Sequence, residues 1–198
     1  MQPSRLVLAS ASPRRRELLA RLGLAVEVRP ADIDEAILPG ETPEGLVARL
    51  ARAKARAIAL EGAWVLGADT VVVLDDEILG KPVGRAEAGA MLAALSGREH
   101  RVVTGCCLVG PDRVLASERV VSTGVWFRVL PAVEIEAYLA SGEWDGKAGG
   151  YAIQGIAAMF ARELHGSWSN VVGLPLCEVV EDLYRLGVVE ALPVAGSW

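Results

Sequence analysis

The stretch LVLASASPRRRELLARLG, residues 6–23, predicts a strand that leads directly into a helix. The apolar run Leu6–Ala9 is typical of a buried strand, and Ser12-Pro13 is typical of a helix N-cap and first helical residue. Three arginines, 14–16, then fill the first turn, where the helix dipole favours acidic groups by about 0.3–1 kcal/mol per charge. This charge at a helix N-terminus indicates that an anion binds there.

The spacing of the first helix separates its three arginines. Arg15 lies three and four residues before the leucines at 18–19, so it projects from the buried face of the helix. Arg14 lies at the edge of that face and Arg16 is turned further round. With the serine hydroxyls beside them, these side chains suit a phosphate cradle, and the alternative is a solvated basic turn. The candidate phosphate ligands are Ser10, Ser12, Arg14 and Arg15.

Composition and charge restrict the class of protein. The 198 residues are 52% hydrophobic and 23% charged, which is ordinary for a compact α/β protein of one large domain or two small lobes. A net charge of −5 argues against stable nucleic-acid binding. We find no signal peptide and no apolar run approaching the roughly 18 residues of a membrane helix. The expectation is a cytoplasmic protein without membrane contact.

Cysteine and histidine positions do not predict a metal centre. Two of the three cysteines are adjacent, at 106–107, and Cys177 is distant, so neither a disulfide framework nor a zinc spacing results. His100 and His165 lack a metal-binding spacing. We expect all three thiols to pack as small apolar residues in a reducing compartment.

The rest of the chain shows neither a repeat nor a linker that divides it. The pattern predicts a strand near 26–29, a helix from 43 to about 60, strands within 64–79, a helix over 85–96, a hairpin of 100–109 and 114–129, a helix over 131–140, a strand within 157–164 and a helix over 174–186. Mixed elements of this kind predict an α/β fold. We expect a single domain over 1–198 with a loosely held tail from about 188.

Lys54 breaks the pattern of the second helix. It lies four residues after Leu50 and four before Ile58, within the apolar stripe, whereas the arginines at 49, 52 and 56 lie on the opposite face. Either the lysine stem snorkels over the core, or its ammonium lies at the rim of a cleft and reaches an anion.

Asp69 interrupts WVLGADTVVVL, residues 64–74, a segment apolar enough to be buried on both faces. A carboxylate there costs several kcal/mol unless it is paired, hydrogen-bonded or bound to a metal, so Asp69 is a functional candidate. Gly67 allows close approach of another backbone or a ligand, and Thr70 adds a hydroxyl. The alternative is an aspartate that caps a turn at the strand end.

Two further candidates have weaker local signals. Lys81 follows Gly80, but the surrounding sequence does not form a P-loop, so by itself it would pass as a surface charge. Gln154, in GGYAIQG, could read a base edge or satisfy a backbone group.

Seven short motifs occur in one order along the chain. They are S-x-S-P-R-R, D-E after a short strand, K-A in the second helix, A-D-T-V, G-K-P, G-Y-x-I-Q-G and V-V-G-L-P-L. From Leu6 to about Leu186 the chain resembles the Maf family of nucleoside triphosphate pyrophosphatases, named for an association with inhibited septum formation. The resemblance implies a Maf/ITPase-like α/β fold, with an elongated mixed sheet, flanking helices and two lobes around a central cleft, often as a homodimer.

The resemblance also implies a hydrolase of nucleotide metabolism that needs a divalent cation, Mg²⁺ or Mn²⁺. Asp69 matches the family's proton acceptor, and Glu35 and Lys81 match residues of its catalytic cleft. Ser10, Arg14, Arg15 and Lys54 match positions on the phosphate side. Asp69 and Glu35 are the candidate metal ligands, and two roles stay open for Asp69: it takes the proton of water or it binds the metal.

Three positions separate the branches of the family. The branch that acts on 7-methyl-GTP tends to have tryptophan, glutamine and glutamate where this chain has Arg14, Thr70 and Gln154. The chain therefore resembles the dTTP/UTP branch. This resemblance implies hydrolysis of dTTP and UTP to the monophosphate and pyrophosphate, with modified pyrimidine nucleotides as further candidate substrates. The alternatives are a 7-methyl-GTP pyrophosphatase and a non-enzymatic regulator of septum formation and cell division.

Overall fold

The computed structural model describes residues 5–191, and these form an α/β fold with six helices and seven strands. The strands are β1 (Leu6–Leu8), β2 (Val26–Val28), β3 (Trp64–Leu74), β4 (Glu77–Leu79), β5 (Glu99–Val109), β6 (Leu115–Phe127) and β7 (Ala161–His165). The helices are α1 (Pro13–Arg21), α2 (Pro43–Ile58), α3 (Arg85–Leu95), α4 (Ala132–Ala140), α5 (Trp168–Val172) and α6 (Leu176–Arg185).

The strands form one mixed sheet, as expected. Its order is β2-β1-β3-β5-β6-β7, and β4 pairs with β3 outside this path. β1 runs parallel to β2 and β3, whereas β4 is antiparallel to β3 and β7 to β6. Parallel pairs need a crossover connection, and α1 and α2 lie in the two connections of this part of the chain.

The described residues group into two compact units that share the long strands. The first unit comprises 5–69, 104–121 and 173–191, and the second comprises 70–103 and 122–172. β3, β5 and β6 each contribute residues to both units.

In the first unit, α2 lies unusually close to the sheet because glycines face it. A Cβ atom at Gly67 would lie 2.7 Å from the Ala55 nitrogen and closer still to the Ala51 carbonyl oxygen. A Cβ atom at Gly105 would lie 2.9 Å from the Ala48 nitrogen. Real Cβ atoms do not approach backbone this closely, so the two glycines set the distance between the helix and strands β3 and β5.

The thiols at 106–107 pack as apolar residues, as expected. Burial raises the pKa of Cys106 to about 12 and that of Cys107 to about 11, so both stay protonated at neutral pH. The expectation was wrong for Cys177, which lies exposed on α6.

The core of the second unit is aromatic. His100 and Phe127 pack edge to face, and each also packs against Tyr151. The His100 Nε2 atom lies 2.8 Å from the Tyr151 hydroxyl oxygen, and burial lowers the pKa of His100 to about 4. His100 is therefore a neutral core histidine at physiological pH.

Three details differ from the sequence prediction. The segment predicted as a strand over 157–164 begins as a 3-10 helix, Ile156–Met159, and the strand follows as β7. The short helix α5 was not predicted, and α2 ends at Ile58 rather than near 60. A short apolar run such as IAAM does not distinguish helix from strand.

At the chain end, Val188 is buried and its N–H donates to the Leu183 carbonyl oxygen. Of the tail that was predicted from about 188, residues 192–198 lie outside the described residues. Within residues 5–191, none of the helices has the length and apolar character needed to cross a membrane.

Candidate active site

Arg15 is buried at the start of α1, with 8% of its surface exposed. Its Nε atom donates to the Gly173 carbonyl oxygen at 2.7 Å, and its Nη1 atom donates to Ser10 Oγ and to the Ala68 carbonyl oxygen, both at 2.9 Å. Burial lowers the pKa of this guanidinium, and the nearby Asp69 carboxylate partly offsets the effect. The residue faces inward as the helix spacing predicts, and it binds the backbone immediately before Asp69.

The other residues of the basic turn differ in exposure. Ser10 is buried, and its Oγ atom also accepts a hydrogen bond from the Ser12 backbone N–H at 3.3 Å. Ser12 is the N-cap of α1, and within residues 5–191 its side chain makes no capping hydrogen bond. Arg14 is partly buried and burial lowers its pKa, whereas Arg16 is exposed. Arg14 and Ser12 are thus the members of this turn best placed to meet a ligand.

Lys54, Asp69 and Glu35 form a chain of ion pairs. The Lys54 Nζ atom lies 2.6 Å from Asp69 Oδ1 and 2.6 Å from Glu35 Oε1. Lys54 and Asp69 are both buried, whereas the Glu35 side chain is 45% exposed. Lys54 does not snorkel, because its ammonium lies inside the protein between two carboxylates. Asp69 lies in the middle of β3 and not at a strand end, so the turn-cap alternative is also wrong.

The close approach of α2 explains why these side chains meet. Gly67 and Asp69 are two residues apart in β3 and share one face of the strand. Gly67 admits the backbone of Ala51 and Ala55, and Lys54 lies in the same turn of the helix. The glycine that was expected to admit another backbone therefore brings α2 within ion-pair distance of the buried carboxylate.

Sequence reasoning missed one residue near this site, Arg49. The pattern placed it on the solvent face of α2, yet it binds the segment that carries Glu35. Its Nη2 atom donates to the Ala36 carbonyl oxygen at 2.9 Å, and its guanidinium pairs with Glu41. The available signal was the acidic loop PADIDEAILPGETP directly before a helix that carries several arginines.

The donor set suits a hard divalent cation shared with a substrate. Asp69 and Glu35 each place an oxygen 2.6 Å from the same nitrogen, so the two oxygens are at most twice that distance apart. Within residues 5–191 there is no group of three or more His, Cys, Asp or Glu side chains that could hold a metal ion. Mg²⁺ is commonly bound through one or two carboxylates together with substrate phosphates, so two carboxylates fit this mode of binding.

The remaining predicted residues belong to the second unit. Thr70 is partly buried in β3, and Lys81 is exposed in the loop after β4. Gln154 is exposed in a turn that precedes the 3-10 helix at 156–159.

The turn at Gln154 is held by a carboxylate that the sequence did not single out. Glu143 accepts the N–H groups of Ile156 at 2.9 Å and Ala157 at 3.2 Å. A Cβ atom at Gly155 would lie 2.7 Å from Glu143 Oε1. The glycine of the I-Q-G motif therefore leaves room for the carboxylate that caps the segment after Gln154.

Comparison with known proteins agrees with the sequence motifs. The Maf-like protein family matches residues 5–186. A dTTP/UTP pyrophosphatase from Geotalea uraniireducens (strain Rf4) is 51% identical over 94% of this chain and 97% of its own length. Another from Anaeromyxobacter dehalogenans (strain 2CP-C) is 55% identical over 92% of this chain and 94% of its own length.

Among solved structures, the nucleoside-triphosphatase / dITP/XTP pyrophosphatase of Mycobacterium abscessus is similar to part of the chain. It has a TM-score of 0.43 and 21% identity, covering 64% of this chain and 76% of the other. The family match spans nearly all of the described residues, and the two bacterial relatives match over almost their full length. The chain therefore belongs to the Maf-like protein family.

Proposed function

We propose that this protein is a hydrolase that converts dTTP and UTP to the monophosphate and pyrophosphate. The observation that carries the proposal is the buried Asp69 carboxylate, paired at 2.6 Å with the buried Lys54 ammonium beside Glu35. Relatives more than half identical over nearly the full chain have the name dTTP/UTP pyrophosphatase, which supports the same activity. The residues at the three branch-separating positions support the pyrimidine substrates.

The reaction requires a water molecule to attack the α-phosphorus in line with the bond to the β-phosphate. The water oxygen bonds to phosphorus, the bond to the bridging oxygen breaks, pyrophosphate leaves with that oxygen, and one water proton must be accepted. Catalysis of phosphoryl transfer consists mainly of positioning and of stabilising charge on the phosphoryl oxygens. The first unit offers a carboxylate for the proton and cations for the phosphates.

We assign the proton of the attacking water to Asp69. Lys54 binds Oδ1 at 2.6 Å and so orients the carboxylate, and Oδ2 is the oxygen that would accept the proton. Arg15 binds the carbonyl oxygen of the preceding residue, Ala68, so the backbone on one side of Asp69 is also held. A carboxylate held at two points loses little entropy when it reaches the geometry of the transition state.

Glu35 and Asp69 are the residues that would hold a divalent cation, Mg²⁺ or Mn²⁺, together with phosphate oxygens. A bound cation of this kind neutralises phosphoryl charge and makes a coordinated water more acidic. Arg14 and the N-terminus of α1, with the Ser12 hydroxyl, would bind phosphate oxygens. For the second unit, the resemblance to the family implies that Lys81 is a catalytic residue that binds phosphate and that Gln154 reads the edge of the pyrimidine.

Pyrophosphate release tests the proposal directly. The purified chain is assayed with Mg²⁺ or Mn²⁺ against dTTP, UTP, CTP, 7-methyl-GTP and the purine triphosphates, and dTTP and UTP should give the highest kcat/KM. Preference for 7-methyl-GTP would instead support the other branch. No release from any nucleotide would contradict the enzymatic proposal and favour the regulator.

Variants test the assigned roles. Asp69→Asn should lower kcat by roughly 10²-fold or more while the circular dichroism spectrum is unchanged, because the proton acceptor is lost.

Arg14→Ala should raise KM, and Arg16→Ala, its exposed neighbour, serves as the matched control with unchanged kinetics. Gln154→Glu should lower the hydrolysis of dTTP and UTP relative to other nucleotides.

We also propose a cytoplasmic homodimer. The cytoplasm contains the nucleoside triphosphates that the enzyme would hydrolyse and keeps thiols reduced. Light scattering on the purified chain tests the assembly, because a monomer would give 20.9 kDa and a dimer twice that mass.

A further inference from the structure

Glu35 lies in the irregular segment 29–42 that connects β2 to α2. The side chain is 45% exposed, so packing alone does not hold it in one place. Its reach to Lys54 therefore depends on what fixes the backbone of the segment. The contacts around Arg49 supply that restraint.

Arg49 binds this segment at two positions, Ala36 and Glu41. Its Nε and Nη2 atoms lie 2.6 and 2.7 Å from the two carboxylate oxygens of Glu41, and Nη2 also donates to the Ala36 carbonyl oxygen at 2.9 Å. Glu41 in turn accepts the Leu38 N–H at 3.1 Å. One guanidinium thus closes the backbone between 36 and 41 into a compact loop.

The ion pair of Arg49 and Glu41, called the clamp below, is charged and partly shielded from water. The Glu41 side chain is 11% exposed and that of Arg49 is 32% exposed. Hydrogen bonds from Arg49 lower the pKa of Glu41 to about 2, so the pair persists through the neutral pH range. Bidentate pairing between guanidinium and carboxylate also restricts orientation, which a single ammonium contact does not.

We propose that Arg49 is a positioning residue for Glu35. Arg49 holds the Glu35 carboxylate at the Lys54–Asp69 pair and does not itself touch the substrate. Ala36 follows Glu35 directly, so the bond from Arg49 fixes the backbone next to the catalytic carboxylate. Helix α2 then holds the segment at two points, Lys54 on the side chain and Arg49 on the backbone. This inference rests on the proposed function of the site.

The same helix offers a matched control. Arg52 forms an equivalent bidentate pair with Glu118, with both nitrogen–oxygen distances at 2.7 Å. Glu118 lies on β6 and not in the 29–42 segment. Arg52→Ala therefore removes a similar ion pair and does not change any contact to the backbone beside Glu35.

A double-mutant cycle on the full-length chain tests the role in catalysis. Arg49→Ala should lower kcat about 10-fold or more, with KM for dTTP within about threefold, because a small misplacement of a catalytic group is costly. Arg49→Lys should fall between it and the wild type, and Arg52→Ala should stay within about twofold of the wild type. In a Glu35→Gln background, Arg49→Ala should have no further effect. An equal loss in both backgrounds, or in Arg52→Ala, would overturn the proposal.

Amide hydrogen exchange tests the clamp independently of activity. Arg49→Ala and Glu41→Gln should accelerate exchange across 36–41, and Arg52→Ala should not. Unchanged exchange in Arg49→Ala would refute the clamp whatever the kinetics. If the wild type releases no pyrophosphate from any triphosphate, the proposed function fails, and the exchange rates still decide whether Arg49 fixes this segment.

Discussion

Replacement of Gly67 by alanine should uncouple the buried Lys54–Asp69 pair and destabilise the protein. The added Cβ would lie 2.7 Å from the Ala55 nitrogen and 3.0 Å from the Ala55 Cβ, and closer still to the Ala51 carbonyl oxygen. Ordinary contact begins near 3.4 Å, so α2 must withdraw from β3 by about 1 Å. Overpacking of this kind costs about 1–3 kcal/mol in the free energy of unfolding.

The same withdrawal acts on the site. Lys54 Nζ lies 2.6 Å from Asp69 Oδ1. A displacement of about 1 Å would lengthen this distance beyond the range of a good hydrogen bond. We therefore expect kcat for dTTP to fall about 10-fold in Gly67→Ala, even where the variant is fully folded.

Urea unfolding followed by circular dichroism measures the stability change. Gly80→Ala is the control, because a Cβ there meets nothing within 4 Å and the backbone is outside the left-handed region. Alanine at such a position should leave stability unchanged or raise it by about 0.4–1 kcal/mol through the unfolded state. If Gly67→Ala unfolds within about 0.5 kcal/mol of the wild type, the close approach of α2 does not depend on this glycine and the reasoning is wrong.

Three further predictions concern other parts of the chain. The pKa of His100 is about 4 in the folded protein, below the ordinary 6.5, so the unfolded chain binds the proton first. The free energy of unfolding should fall by about 3 kcal/mol from pH 6.5 to pH 4, and urea titrations of His100→Gln should show a smaller fall. Gly155→Ala should displace the Glu143 carboxylate, which would lower Tm and raise KM for dTTP; unchanged values for both would refute this. In thiol titration at pH 8, Cys177 should react first, in the folded chain, although Glu181 and Glu178 raise its pKa, and the two buried cysteines should react only after unfolding; equal rates would contradict their burial.

Sequence reasoning located Asp69, Lys54 and Arg15 because each breaks a pattern that hydrophobic burial imposes. A charge in an apolar strand or stripe is costly, so its presence is informative without any knowledge of its partner. The structure then supplied the partners. For Lys54 these are two carboxylates, of which Asp69 is fifteen residues away and on another element.

Arg49 could not be found in this way. It lies on the helix face where arginine is ordinary, so the helical periodicity gives no signal, and the acidic loop before the helix does not show which arginine binds it. Its acceptors belong to an irregular segment, whose path depends on tertiary hydrogen bonds and not on periodicity. The same limit applies to Glu143, whose role depends on the capped 3-10 turn at 156–159 that the sequence reading assigned to a strand.

The Lys54 ammonium pairs with both Asp69 and Glu35. For this reason the loss of activity expected in Asp69→Asn can be attributed to the reaction and not to unfolding. Removal of one partner from a buried ion pair usually costs about 3–5 kcal/mol, because the other charge is left without compensation. Here Glu35 lies at the same 2.6 Å from Lys54 and remains as a second carboxylate, so Asp69→Asn leaves the ammonium paired. The Asp69 Oδ1 position also keeps an oxygen acceptor when it becomes an amide. We therefore expect the site to tolerate this replacement structurally, so that a loss of turnover in the variant reports on the proposed reaction itself.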